Sequence, residues 1–395
     1  MTAPKAKKEE TLSILDYFAD LPDPRRENEN RRHKLTDIIA ISILATICGA
    51  EHFTEMEEFG KASKDFLATF LELPNGIPSH DTFGNVFARL DTAEFKKRFV
   101  SWVEAIRTAT AGEVIALDGK TLRRSHNRTE GQGAIHLVSA WAARNRLTLG
   151  QVKVDGKSNE ITAIPELLRL LYIEGCIITI DAMGTQKDIA EQICEKGADY
   201  MLALKENQSN LRAEVEGIFD AECAAQQVEE KSKKRSSVKV ADVFETSESS
   251  HGRQETRRIY SLEAPEWLYT KEKWRNLNSL VMVEAKREVN GKESIERRYY
   301  ISSLAPNAKQ AAEVIRSHWG IENSSHWILD VAFREDQSRV RVGNAPENLA
   351  LIRKLTHNLL QMETSLKRGI KTKRLRAGWD RSYLLKILSV KLSVS

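Results

Sequence analysis

The feature that most constrains this chain is a change of hydrophobic period near Glu113. Before it, apolar residues recur at helical spacing. After it come three short runs rich in apolar and β-branched residues, then a helical pattern, a buried run, a second helical pattern and a last run ending near residue 204. The short connections among the first three runs favour an antiparallel meander, and the intervening helices favour parallel crossovers.

This order of elements predicts a mixed five-stranded sheet flanked by helices. A meander followed by two right-handed crossovers is the order of the RNase H-like fold. We therefore predict an α/β fold of that kind, preceded by an all-α N-terminal region. After Glu206 the composition becomes charged and polar, broken by short strand-like runs, which indicates a β-rich insertion.

The length of 395 residues suits two or three domains at roughly 100–200 residues each. We predict the following division: a flexible N-terminus at 1–10, an all-α domain at 11–110, an RNase H-like catalytic domain at 111–363 with its β-rich insertion at 206–298, and a basic C-terminal segment at 364–395.

Composition and charge exclude several classes of protein. The longest apolar stretch, at 38–50, is shorter than the roughly 20 residues that cross a bilayer, so no membrane span is expected. The first ten residues are charged and unlike a secretory signal, which predicts a cytoplasmic protein. Four cysteines without CxxC spacing indicate structural thiols rather than a zinc site. Lys and Arg outnumber Asp and Glu by 60 to 56, which permits nucleic acid as a partner.

Two aspartates follow strand-like runs in the predicted sheet. Asp118 ends the first run and Asp181 ends the fourth, which places two carboxylates at neighbouring strand ends. Either aspartate alone could be an ordinary turn residue. The pair, taken with the order of elements, predicts a metal site.

A third carboxylate, Glu322, lies on a predicted long helix. It shares one face with Trp319 and His326, among apolar neighbours. Because a buried carboxylate is costly unless it is paired, Glu322 is either a metal ligand or the ion-pair partner of a residue such as Arg316. Competing third acids, for which exposed or ion-paired roles are the default, are Glu160, Asp330, Glu335 and Asp336.

Three carboxylates from separate segments suit Mg²⁺ or Mn²⁺, which prefer oxygen ligands. Two such ions can activate a water or a 3′-hydroxyl on one side of a phosphorus and stabilise the leaving oxygen on the other. The pattern therefore favours metal-dependent phosphoryl transfer, for which no nucleophilic side chain is needed.

Several motifs in order give the chain a family resemblance. It resembles the H-repeat-associated proteins and their relatives among bacterial insertion-sequence transposases of the Asp-Asp-Glu class, over nearly its whole length. The resemblance implies a DNA transposase that cuts at the ends of its own element and joins them to target DNA with divalent metal. The motifs are ALDGKTLRRS, GAIHLVSAWA, KSNEITAIPELL, TIDAMGTQKDIA, YYISSL and HWGIENSSHWILDVAFRED.

By this resemblance, Asp118 in LDGKT, Asp181 in TIDAMG and Glu322 in WGIEN look like the catalytic triad and the ligands of Mg²⁺ or Mn²⁺, with two ions expected. The β-rich insertion before Glu322 is similar to that of related transposases. The implied partners are double-stranded DNA, as element ends and as target, and a second copy of the chain, because two ends must be joined.

The chain departs from one signature of these relatives, a Tyr, an Arg and a Lys at fixed places around the glutamate. Those places hold Ile315, His318 and Leu329. Candidates for the missing DNA contacts are Lys120, Arg316, His318 and His326. The basic segment at 364–395 and a basic loop at 231–235 could also neutralise DNA phosphates.

Two other functions stay open on the sequence alone. One is a catalytically inactive DNA-binding remnant of a transposase, which the altered residues around Glu322 would suit. The other is an RNase H-like nuclease that serves repair or RNA processing.

Overall fold

The computed structural model describes residues 14–27, 31–107, 111–126, 133–155, 159–232, 241–250, 253–289 and 292–388. The N-terminal segment predicted at 1–10 lies outside these residues. No helix in the described ranges is long and apolar enough to cross a membrane.

The N-terminal region is helical up to Ile106. Ser79 and Asp91 begin two of its helices, because their side chains accept hydrogen bonds from the free N–H groups of the first turn. The first helix is buried along almost its whole length. The helices are α1 (Leu35–Ile47), α2 (Phe53–Ala62), α3 (Lys64–Leu67), α4 (His80–Arg89) and α5 (Thr92–Ile106).

The predicted five strands form one mixed sheet in the order β3-β2-β1-β4-β5. β2 and β3 are antiparallel to their neighbours, whereas β4 and β5 run parallel to β1. α6 and α7 make the two crossovers. The sheet confirms the RNase H-like fold class. Its elements are β1 (Val114–Thr121), β2 (His136–Ala142), β3 (Leu147–Val154), α6 (Glu160–Leu170), β4 (Ile177–Ile180), α7 (Lys187–Glu195) and β5 (Asp199–Leu204).

The insertion extends this sheet. Its last strand, β9, pairs antiparallel with β5, so the order continues as β5-β9-β8-β7-β6 and the sheet reaches nine strands in the described residues. β9 also runs four residues beyond the predicted end of the insertion at 298. The elements of the insertion are α8 (Ser209–Ser232), β6 (Asp242–Ser250), β7 (Arg253–Glu263), β8 (Ser279–Val289) and β9 (Lys292–Ser302).

The predicted long helix around Glu322 is interrupted. A π-helical turn, Glu322–His326, follows α9, and the N–H of Trp327 bonds the carbonyl of Glu322. Gly320 and the run Asn-Ser-Ser inside this stretch have low helix propensity, which favours such a break. The helices after the insertion are α9 (Ala308–His318), α10 (Trp327–Phe333), α11 (Ala345–Met362), α12 (Ile370–Trp379) and α13 (Arg381–Leu388).

Buried polar side chains of α11 join the N-terminal helices to the sheet. Asn348 donates to the carbonyls of Phe87 and Leu90 at 2.9 and 3.0 Å. On the other side, the Asn358 amide accepts from the N–H of Thr148 at 2.9 Å and donates to its carbonyl at 2.8 Å. α11 therefore belongs to both packed regions, and the predicted domain boundaries stay predictions.

Part of the basic C-terminal segment is buried in the protein. The Lys373 ammonium donates to the Leu360 carbonyl at 2.8 Å, and the Arg374 guanidinium donates to the Thr46 carbonyl at 2.9 Å. Arg374 also lies over the ring of Phe333 at 4.3 Å. These two cations hold helices together and are not free for DNA. The basic loop at 231–235 lies outside the residues whose side chains the structure describes.

We expect Asn358→Leu to lower the free energy of unfolding by about 3 kcal/mol, since both backbone groups of Thr148 would be left buried without a partner. Chemical denaturation would measure the change. Asn85→Leu, at an exposed position of α4, is the matched control and should change stability by less than about 0.5 kcal/mol. Equal effects of the two substitutions would contradict the role given to Asn358.

Candidate active site

The parallel pairing of β1 with β4 brings Asp118 and Asp181 together. The register pairs Leu117 with Ile180, so the two aspartates occupy the next equivalent positions. Adjacent strands are roughly 5 Å apart. The sequence predicted that β1 ends at Asp118. The strand instead continues to Thr121 through its pairing with β2, and it is the ladder with β4 that ends at Leu117.

The chain turns sharply after Asp181, which fixes the direction of this carboxylate. Its Oδ1 accepts the N–H of Met183 at 3.1 Å and so caps a short 3₁₀ turn. Asp181 is two residues after Thr179, so both side chains lie on the same face of the sheet, and the Thr179 hydroxyl is hydrogen-bonded to His318 of α9. Asp181 therefore lies on the face of the sheet that α9 covers.

Glu322 completes the group from the helical side. It lines a cavity of about 350 Å³ together with Asp118 and Asp181. Burial raises the pKa of Glu322, and the negative charges of Asp118 and Asp181 raise it further, while His326 lowers it. The three carboxylates are thus close enough to repel one another.

The alternative ion pair for Glu322 is not observed. Arg316 instead binds Glu248 of β6 at the protein surface. In the described part of the chain, no Lys or Arg nitrogen lies within 4.0 Å of the carboxylates of Asp118, Asp181 or Glu322.

Two histidines lie against the carboxylates. The Nδ1 atom of His326 is 3.4 Å from Oδ2 of Asp118. The Nδ1 atom of His318 is 2.9 Å from the Thr179 hydroxyl. Burial lowers the pKa of His318, although Asp118 and Asp181 favour its charged form. Both rings were predicted DNA contacts, and both border the acidic group.

Lys120, also a predicted DNA contact, is enclosed by carboxylates. Its ammonium binds Asp330 of α10 and lies 3.0 Å from Oε2 of Glu335. Its side chain is only 12% exposed. Burial disfavours the charge of Lys120, but Glu335 and Asp330 outweigh burial and raise its pKa. Contact with a phosphate would require these pairs to break.

The competing third acids all have cationic or histidine partners. Glu160 lies 2.6 Å from Nε2 of His136, and Asp336 lies 3.2 Å from Nε of Arg123. Asp330 and Glu335 bind Lys120. These arrangements fit the ion-paired roles expected for them by default.

Sequence reasoning missed the contribution of β5 and β9 to the cavity. Arg298 lines it, with its guanidinium 5.4 Å from the ring centre of exposed Trp319. No signal pointed to this, because the insertion was expected to be separate from the catalytic sheet. Further lining residues are Lys205, Arg212, Arg297 and Tyr300.

The carboxylates suit a divalent cation by chemistry. Their mutual repulsion and all-oxygen donor set fit Mg²⁺ or Mn²⁺. In the residues described, however, no three Asp, Glu, His or Cys side chains are arranged closely enough to hold an ion together. The donors face one cavity without converging on one point.

Comparison with known proteins identifies the family. The family described as "Transposase DDE domain" matches residues 109–359, and "DDE_Tnp_1-associated" matches residues 15–103. The chain belongs to the DDE transposase family. The "Putative transposase YncI" of Escherichia coli O157:H7 is 42% identical over 381 residues, covering 95% of this chain and 94% of that protein.

A second relative supports this membership of the DDE transposase family. The "H repeat-associated putative transposase YhhI" of Escherichia coli K12 is 39% identical over 386 residues, 96% of this chain and 98% of that protein. These relatives confirm the resemblance found in the sequence. Among solved structures, a piggyBac transposase synaptic complex with hairpin DNA has a TM-score of 0.44 and 12% identity, covering 92% of this chain and 74% of that one.

The buried cations beside the site make stability depend on pH. Burial alone would raise the pKa of Glu335, but nearby cations, first Lys120 and then Lys354, lower it to about 2 from an ordinary 4.5. A lowered carboxyl pKa stabilises the folded state above pH 4.5, and the contribution is lost as the pH falls toward 2. For a shift of this size the contribution is about 3 kcal/mol.

We therefore expect Glu335→Gln to be about 3 kcal/mol less stable than the wild type at neutral pH, with the difference shrinking below pH 4.5. Denaturant titrations across this range would measure it. Glu191→Gln, at an exposed position of α7, is the control and should show no such trend. A Glu335→Gln difference that stays constant with pH would contradict the assignment.

Proposed function

We propose that this chain is a DNA transposase that binds the ends of its own insertion element, cuts the DNA there and transfers the strand to target DNA. One observation carries the proposal beyond family membership. Asp118, Asp181 and Glu322 face a single cavity, and in the described residues none of them has a Lys or Arg nitrogen within 4.0 Å. An acidic group without such ion pairs suits metal-dependent phosphoryl transfer.

The three carboxylates would hold Mg²⁺ or Mn²⁺, two ions in the full complement. When bound, such ions activate a water or 3′-hydroxyl and neutralise charge at the phosphate oxygens. The role of the chain is positioning. Asp118 and Asp181 are held side by side where the β1–β4 ladder ends, and Glu322 approaches from the π-helical turn on the other side of the cavity.

Side chains around the carboxylates would order the site. His326 is placed to orient the Asp118 carboxylate, and His318 is itself fixed by Thr179. Both rings border the acidic group and could touch a phosphate held there. Arg316 is the most exposed of the predicted DNA contacts, with 64% of its side chain accessible, and its pair with Glu248 is open to exchange with DNA.

The partners follow from the reaction. Double-stranded DNA would serve both as element ends and as target. Joining two ends requires that two active sites act together, so we propose a dimer assembled on DNA.

We expect Asp118→Asn, Asp181→Asn and Glu322→Gln each to reduce metal-dependent cleavage by at least about 100-fold, because each removes a charge that would hold the metal. The substrate is duplex DNA that carries the inverted repeats flanking the gene, with Mg²⁺ or Mn²⁺. Gel analysis of end cleavage and strand transfer measures the effect, and DNA affinity in chelator should change little.

The control for folding is the melting temperature, and Glu160→Gln, at a histidine-paired acid, is the matched carboxyl variant that should keep cleavage. Wild-type protein that binds the ends but never cuts them would support the inactive remnant instead. Cleavage that ignores the repeats, or that prefers RNA–DNA hybrids, would support an RNase H-like nuclease.

A further inference from the structure

Two loops that leave the candidate active site meet at a basic cleft. One follows β1 and carries Arg124, and the other follows α10 and carries Arg334 and Arg339. The cleft has a volume of about 490 Å³, and its opposite wall is Glu51, His52 and Glu55 from the N-terminal helical region. None of these residues belongs to the predicted DNA contacts.

The two loops are tied together by the chain itself. The guanidinium Nε of Arg341 donates to the Arg124 carbonyl at 3.0 Å. Arg123 is held by Asp336 at 3.2 Å, with 81% of its side chain exposed. The two loops therefore carry five arginines, and the bond from Arg341 to the Arg124 carbonyl joins the loops.

Two acids face three arginines in the cleft lining, so part of the arginine charge is left unbalanced. Glu55 is used as a helix cap, since its Oε2 accepts the N–H groups of Glu51 and His52. Glu51 reaches Arg334 only at 3.7 Å. Within the described ranges, no carboxylate lies within 4.0 Å of Arg124 or Arg339, and both residues are exposed.

The backbone at Arg334 supports a use for its side chain. This residue ends α10 in the left-handed region, with φ of +48°, where glycine is usually found. An arginine there adds steric strain that a glycine would avoid. The Arg334 side chain forms part of the cleft lining.

We propose that this cleft binds the phosphate backbone of duplex DNA that extends from the active site, an inference that rests on the proposed function. Exposed arginines with no acidic partner are the groups that neutralise DNA phosphates. Arg124 is six residues from Asp118 along the chain, at most roughly 20 Å. Arg334 is twelve residues from Glu322 along helical structure, roughly 18 Å.

A duplex with its cleaved phosphate at the carboxylates would thus have phosphates within reach of the cleft about six base pairs away. The contacts would be to the backbone and independent of sequence. They would come from the two arginine-bearing loops, since the N-terminal wall of the cleft carries the carboxylates of Glu51 and Glu55.

The test is DNA affinity measured by fluorescence anisotropy over a range of salt, with full-length protein and chelator so that no DNA is cut. For the double variant Arg124→Ala/Arg339→Ala, we expect affinity to fall on the order of tenfold and the slope of log K against log salt to become shallower by about 2. The loss should be equal for end DNA and for unrelated duplex.

Arg334→Gly separates binding from folding. It removes one charge and relieves the backbone, so the slope should become shallower by about 1 while the melting temperature does not fall. The matched control is Arg169→Ala/Arg275→Ala, exposed arginines on α6 and in the insertion, whose slope should equal that of the wild type.

An unchanged slope in the Arg124 and Arg339 variant, or a fall in melting temperature without a change in slope, would overturn the proposal, as would a loss restricted to end DNA. These outcomes do not depend on catalysis. If the wild type fails to cut but the slopes change as expected, the proposed enzymatic function fails and the DNA surface stands.

Discussion

The parallel contact between β1 and β4 is the constraint on which the candidate site depends. Residues that pair between β1 and β4 are 63 positions apart in the sequence, and the same number separates Asp118 from Asp181. A shift by one residue would turn one carboxylate to the opposite face of the sheet. The hydrophobic residues that fix the register, buried from Ile115 to Leu117 and from Ile177 to Ile180, therefore also align the two acids. Core packing and site geometry are here set by the same strands.

The sequence predicted the five central strands because local patterns specify each of them. The alternation of side chains along a strand and the right-handed crossover rule then predict that Asp118 and Asp181 lie together, and no information on distant contacts is needed. The pairing of β9 with β5 depends on residues about 100 positions apart along the chain, such as Leu202 and Ile301, and no local pattern reports it. For this reason the contribution of Arg298 to the cavity could not be foreseen. The π-helical turn was not predicted, because one extra residue within a helix hardly changes the spacing of apolar residues in the sequence.

The role predicted for Lys120 shows a second limit of sequence reasoning. A lysine two residues after a catalytic-type aspartate suggested a phosphate contact. Its actual neighbours, Asp330 and Glu335, come from more than 200 residues further along the chain. The side chain of Lys120 lies on the same face of β1 as that of Asp118. Its ion pairs with Asp330 and Glu335 therefore join the strand that carries Asp118 to the chain that follows Glu322. Such a buried pair is costly to break, which makes it a structural tie between the two sides of the site.

The distribution of charge around the cavity separates the acids into two groups. Asp330, Glu335 and Asp336 form ion pairs with Lys120 or Arg123, and Glu160 lies within hydrogen-bonding distance of His136. Asp118, Asp181 and Glu322 share one cavity, where the pKa of Glu322 is raised by burial and by the other two. No Lys or Arg nitrogen of the described residues lies within 4.0 Å of these three carboxylates, although four Lys and Arg side chains line the same cavity. A bound divalent cation would relieve the repulsion among these acids, which is the physical reason to propose them, and not their paired neighbours, as the reactive group.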